Sequence, residues 1–105
     1  DTAQIDWSRT ARELDALVRG LNPVPYAETH LGDALYKIGM LSLTGERTDA
    51  PHGTILTADR RAGLRVAAGD EIVQVTEIQE PGKRMMSTSD FLNGCALTAG
   101  ARFTS

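Results

Sequence analysis

Between Asp6 and Leu21 the apolar residues recur at helical spacing. Ala11, Leu14, Leu17, Val18 and Leu21 fall within roughly 120° of a helical wheel. The pattern predicts an amphipathic helix over about 6–21, with Asp6 or Ser8 capping its first turn and Gly20 followed by Asn22-Pro23 ending it. Pro23 and Pro25 then force an extended stretch, because proline fixes φ and removes a backbone donor.

From Tyr26 to Gln79 the pattern changes to short runs of β-formers separated by turn residues. The runs end at Leu31, cover Ala34 to Leu43, Thr54 to Ala58 and Leu64 to Ala67, and finish with Glu71 to Gln79. Gly32-Asp33 and Asp59 to Gly63 read as tight turns, and Gly45 to Pro51 as a polar loop. Ile72, Gln74, Thr76 and Ile78 alternate with Val73, Val75 and Glu77. Apolar residues on both faces suit a barrel strand covered by another element, and the 6–21 helix is the candidate cover. The runs predict a small barrel or sandwich over about 26–79. A basic loop and a short helix follow over about 80–94, with Ser87 as cap, Asp90 completing a capping box, and Gly94 as the stop.

Composition narrows the class. At 105 residues the chain is bounded to one domain, large enough for a modest core without staples. No apolar run approaches the roughly 20 residues of a membrane span. One cysteine, Cys95, excludes an intrachain disulfide framework and favours a reducing compartment. The chain begins at Asp1 with no basic-then-apolar leader, and reads as a piece of a longer protein.

Catalytic groupings are scarce. His30 and His52 lie far apart without neighbours at zinc-site spacing, and Thr54, Ser87 and Ser89 have no base beside them in sequence. This favours a binding or accessory module, with no catalytic residue, metal or cofactor of its own.

Charge is unevenly placed. The net charge is −3, from 11 basic and 14 acidic residues. From Gly82 onward, Lys83, Arg84 and Arg102 face Asp90 alone, a net +2 that leaves −5 on the remainder. Gly82 lets the backbone turn sharply, and the adjacent Lys83 and Arg84 can engage phosphates without regard to base sequence. Arg9, Arg12 and Arg19 share about 80° of the predicted helix opposite its apolar stripe. An ordinary basic loop and a solvated face balanced by Glu13 and Asp15 are the competing readings.

Several blocks carry a resemblance. Ile5-Asp6-Trp7-Ser8, Val18-Arg19-Gly20-Leu21-Asn22-Pro23-Val24-Pro25, Pro51-His52-Gly53-Thr54-Ile55-Leu56 and Gly63-Leu64-Arg65-Val66-Ala67 with Gly69-Asp70 stand in order along the chain. Gly82-Lys83-Arg84-Met85-Met86-Ser87 with Asp90-Phe91-Leu92-Asn93-Gly94, then Gly100-Ala101-Arg102-Phe103, complete the set. Together they resemble the C-terminal domain of the methionyl-tRNA formyltransferases. Its members carry I-D-W-S, I-R-x-L-N-P-x-P, P-G-T-I-L, G-L-x-V-A-x-G-D, G-K-x-M-S-x-x-D-F-L-N-G and a closing G-x-R-L or G-x-R-F. Three departures stand out, the first being one residue inserted after Pro51 in the P-G-T-I-L block. Where the family commonly reads N-P-W-P-G-A, Val24 and Tyr26 replace the indole and the turn glycine, so packing there is expected to differ; Cys95-Ala96 follow Gly94 where some members are basic.

The resemblance implies a mainly β fold, a small OB-like β-barrel with an N-terminal amphipathic helix and a short C-terminal helix. It implies an accessory role: this domain helps hold initiator methionyl-tRNA while an N-terminal formyltransferase domain of the same chain transfers formyl from 10-formyltetrahydrofolate. The catalytic residues belong to that other domain, and the compartment is the bacterial cytoplasm or an organellar matrix. Lys83, Arg84, Arg9, Arg12, Arg19 and Arg102 are then the candidate RNA contacts, with Gly82 shaping the loop. Related C-terminal domains occur in 10-formyltetrahydrofolate dehydrogenases and amino-sugar formyltransferases, so a structural domain of an enzyme with a non-RNA substrate is the alternative. The Gly82 to Gly94 block favours the tRNA enzyme.

Overall fold

Thr10, rather than Asp6 or Ser8, starts the first helix. In the computed structural model, which describes residues 3–94 and 97–104, α1 spans Ala11–Leu21. Thr10 Oγ1 accepts from the Glu13 backbone N–H, and the Glu13 carboxylate accepts from the Thr10 N–H. This reciprocal box satisfies two donors that the start of a helix leaves unpaired. Asp70 supplies another acceptor, its Oδ1 taking the Ala11 N–H at 2.9 Å. Asp6 is engaged locally instead. Its Oδ1 accepts from the Ser8 backbone N–H at 3.1 Å and the Ser8 hydroxyl at 2.6 Å, folding a turn ahead of the helix. At the other end Asn22 caps α1 before Pro23, and its side-chain amide donates to the Gly39 carbonyl at 2.6 Å.

The strands are β1 (Ala27–Leu31), β2 (Ala34–Arg47), β3 (Ile55–Asp59), β4 (Gly63–Ala67), β5 (Glu71–Gln79) and β6 (Met86–Ser87), with α2 at Thr88–Phe91. Most bounds lie within a residue of the predicted runs. The exceptions are instructive. β2 continues into the expected loop as far as Arg47, which pairs with Glu71, and leaves the rest of it irregular. Gly45, at φ +75°, and a register shift beyond Leu43 carry the strand along the sheet with its residues exposed, so no apolar pattern marks it. β6 has two residues, too few to show a period. Ser87 caps α2 by accepting from the Asp90 N–H, and the helix gives way at Leu92, ahead of Gly94.

All strand pairings are antiparallel, in the order β1-β2-β5-β4-β3, with β6 also on β5. The sheet is open: β1 and β3 do not pair with each other. The edges are nonetheless covered. Residues 3–5 run beside β1, where Gln4 bridges Glu28, and residues 100–104 lie between the two edges, with Thr104 bridging His30 and Arg102 bridging Thr54. Such covering occupies backbone groups that a bare edge would offer to another chain.

One apolar core fills the interior. α1 contributes Ala11, Leu14 and Val18, packing chiefly over β2, and β5 contributes Val73, Val75 and Ile78. The step from Val75 to Ile78 breaks the simple alternation because the β2–β5 register shifts beside Thr76 and Glu77. Trp7 stacks on Phe103 with centroids 5.8 Å apart, and Tyr36 meets Phe103 and Phe91 edge-on. Ile5, Trp7, Phe91 and Phe103 are all buried, so the most recognisable sequence blocks owe much of their character to the core.

The N-P-x-P segment lies at the surface. Val24 is 79% exposed, so the missing indole leaves no hole in the core. The lost glycine matters more, since Tyr26 adopts φ +71°, in the left-handed region that favours glycine.

Candidate nucleic-acid interface

The segment between β5 and β6 opens with a tight turn. Lys83 N–H donates to the Glu80 carbonyl at 3.1 Å, placing Pro81 and Gly82 at the two central positions. Gly82 has φ +77°, which with proline before it is the signature of a type II turn. Gln79 then donates its side-chain amide to the Lys83 carbonyl at 2.7 Å. The backbone beneath the two cations is therefore preformed, which lowers the ordering cost of binding.

Lys83 and Arg84 are exposed on this turn, and among the described residues neither is in an ion pair. Lys37 stands nearby: it pairs with Gln79 across β2 and β5, and with Leu35, Pro81 and Gly82 it lines a shallow cavity of about 220 Å³. No local pattern marks Lys37 as a site residue. Only the strand register brings it to the turn.

The four arginines are placed elsewhere. Arg9 precedes α1 and approaches Glu13 at 3.6 Å. Arg19, in the last turn of α1, pairs with Asp15 at 3.0 Å. Arg12 is exposed, with no ion pair among the described residues. Arg102 donates its Nε–H to the His52 carbonyl at 2.8 Å and, with Asp6 and Trp7, lines a cavity of about 160 Å³. Asp6 is held below the usual aspartate range by its two hydrogen bonds from Ser8, assisted by Arg9 and His52. Among the described residues no hydrogen bond, ion pair or shared cavity joins these arginines to Lys83 or Arg84. The basic turn thus stands apart as a candidate site, while Arg9 and Arg102 lie around Asp6. Cys95 and Ala96 lie outside the described residues.

The arrangement can do electrostatic work. Exposed cations on a hydrogen-bonded turn suit phosphate oxygens. Among the described residues there is no group of three His, Cys, Asp or Glu able to hold a metal ion, and no helix is long and apolar enough to cross a membrane.

Comparison with known proteins places the chain. The family model for the formyl transferase C-terminal domain matches residues 1–96. The chain belongs to that family. It is 41% identical over 103 residues to the methionyl-tRNA formyltransferase of Gluconobacter oxydans, covering 97% of the chain and 33% of that protein. It is 42% identical to those of Roseobacter denitrificans, over 96% of the chain and 31% of the relative, and Thiobacillus denitrificans, over 97% and 33%. The formyl transferase C-terminal domain described here therefore spans about a third of the length of these relatives.

Proposed function

We propose that this chain is the tRNA-contacting C-terminal domain of a methionyl-tRNA formyltransferase. The observation that carries the RNA role is the preformed Glu80–Lys83 turn, which presents Lys83 and Arg84 to solvent without an ion-pair partner among the described residues. The names of the relatives support the parent enzyme. In this reading Lys83 and Arg84 grip backbone phosphates of initiator methionyl-tRNA. Arg9, Arg12, Arg19 and Arg102 add a diffuse positive field.

The N-terminal domain of the same protein is the covalent partner, with 10-formyltetrahydrofolate as its co-substrate and formyl transfer to the methionyl amine as its reaction. This domain supplies positioning rather than chemistry, in the bacterial cytoplasm or an organellar matrix. Positioning is a real catalytic contribution, because holding two reactants in register removes much of the entropy of their encounter.

Filter binding of initiator tRNA across a salt series tests the assignment. Lys83→Ala with Arg84→Ala is expected to weaken binding and to flatten the log–log salt slope by about 1.4–1.8, two released counterions' worth. Unchanged affinity and slope would remove the turn from the interface. A second reading, a structural domain for a non-RNA substrate, draws on the Arg9–Glu13 and Arg19–Asp15 pairs, which partly cancel the α1 charge. Formyl transfer to a small amine by the full-length parent, without tRNA binding, would favour it.

A further inference from the structure

Along one edge of β5, β4 pairs as far as Val75 and β6 takes over from Glu77, while β2 occupies the other edge. A cleft of about 260 Å³ lies at this junction, between the β3–β4 turn and the start of α2. Its polar lining is Arg60, Arg61, Gln74, Thr76, Ser87, Thr88 and Ser89, the Thr88 hydroxyl being committed to the Val75 carbonyl at 2.6 Å. Among the described residues, none that lines it is acidic. The nearest turn carboxylate, Asp59, already accepts through Oδ1 from the Arg61 and Ala62 backbone N–H groups at 2.9 and 2.7 Å. Those bonds shape the turn that carries both guanidinium groups.

We propose that this cleft is a second phosphodiester-binding site, distinct from the Lys83–Arg84 turn and gripping the same RNA; the proposal rests on the tRNA reading above. Arg60 and Arg61 are exposed and make no ion pair among the described residues. Each guanidinium can fork two N–H donors onto phosphate oxygens. The Gln74 side-chain amide sits against Gly63 of the turn and makes no hydrogen bond among the described residues, so its donors are available. Ser87 Oγ accepts from the Asp90 N–H, which leaves the hydroxyl proton free to donate outward. Thr76 is already committed to the Met40 carbonyl. The cleft is open, small and rich in donors. A small-molecule pocket is usually larger, and two exposed guanidinium groups at the mouth suit a segment of sugar–phosphate backbone.

Placement links the two basic features. Arg84 and Ser87 are three residues apart along the extended run into β6, roughly 10 Å at strand spacing. A nucleic-acid strand following β6 can therefore meet the turn and the cleft in succession.

The test uses the 105-residue chain, isotopically labelled, titrated with an RNA minihelix bearing a single-stranded 3′ end, together with salt-dependent binding of four variants. The expected result is amide shifts at residues 60–63, 74–76 and 87–89 as well as 80–85. Arg60→Ala with Arg61→Ala should flatten the salt slope by about 1.4–1.8, with Arg60→Lys and Arg61→Lys retaining the slope. Lys83→Ala with Arg84→Ala reports on the turn, and Arg47→Ala, an exposed cation away from both features, on bulk charge. Shifts and losses confined to residues 80–85 would overturn the cleft site while leaving the tRNA reading intact. An Arg47→Ala effect as large per charge as that of the cleft pair would overturn it as non-specific attraction. Absence of RNA binding by the unmodified chain would overturn both.

Discussion

The Trp7 indole N–H donates to Thr29 Oγ1 at 2.9 Å, tying the segment before α1 to the middle of β1. Both residues are buried, and the Thr29 hydroxyl in turn donates to the Thr104 carbonyl at 2.7 Å. One side chain thus joins the segment before α1, the first strand and the end of the described chain. Thr29→Val keeps the shape but strands the indole N–H, and a buried donor without a partner costs roughly 1–3 kcal/mol. The urea midpoint should fall accordingly with an unchanged slope, and Thr29→Ser should restore it. An unchanged midpoint in the valine variant would mean that the indole finds another acceptor.

Gly53 is the point where the closing segment crosses the start of β3. It has φ +89°, it accepts the Phe103 N–H at 2.8 Å, and a Cβ there would run into the Phe103 carbonyl. Gly53→Ala is therefore expected to destabilise by roughly 2–3 kcal/mol. Because Phe103 also stacks on Trp7, the effect should concentrate at the gap between the sheet edges. Amide hydrogen exchange offers the check: Phe103 and Thr104 should exchange faster than the β5 amides. A uniform change across the sheet would contradict this local role.

These two residues show what a sequence can and cannot carry. Trp7, Gly53, Phe91 and Phe103 belong to recognisable blocks because the core and one close backbone approach restrict what can stand there. The main strand runs were legible from alternation, and the amphipathic stripe revealed α1. Its start was legible too, in the T-x-x-E of Thr10 to Glu13, but Asp6 and Ser8 offered competing caps and hydrogen-bond each other instead. The end of β2 was hidden because an exposed paired strand needs no apolar residues. Lys37 and the Arg60–Arg61 cleft were illegible for a different reason. They join their sites through strand register, which relates residues distant in sequence.

The Asp6–Ser8 pair makes a pH prediction. Hydrogen bonds from Ser8 favour the Asp6 carboxylate, so its pKa in the folded chain lies below the unfolded value. The stabilisation is present above the unfolded pKa and is lost as pH falls through the lowered folded value. Carboxyl carbon shifts followed by NMR should give an Asp6 midpoint under the ordinary aspartate range. Ser8→Ala removes the hydroxyl donor, the largest contribution, and should move the midpoint upward. No movement would assign the shift to the Ser8 backbone N–H, with Arg9 and His52, instead of the hydroxyl.

Gly82 separates geometry from charge at the candidate interface. Its φ of +77° disfavours any side chain, yet a Cβ there would meet nothing within 4 Å. Gly82→Ala therefore adds conformational strain without a collision, on the order of 1–2 kcal/mol. The turn can relieve that strain by rotating, which re-aims Lys83 and Arg84 while leaving both charges in place. The expected signature is weaker tRNA binding with an unaltered salt slope, the converse of removing the two cations, which should lower affinity and slope together. Binding that tolerates Gly82→Ala yet fails without the cations would reduce the turn to a carrier of charge, and its hydrogen bond from Gln79 would then serve the fold rather than recognition.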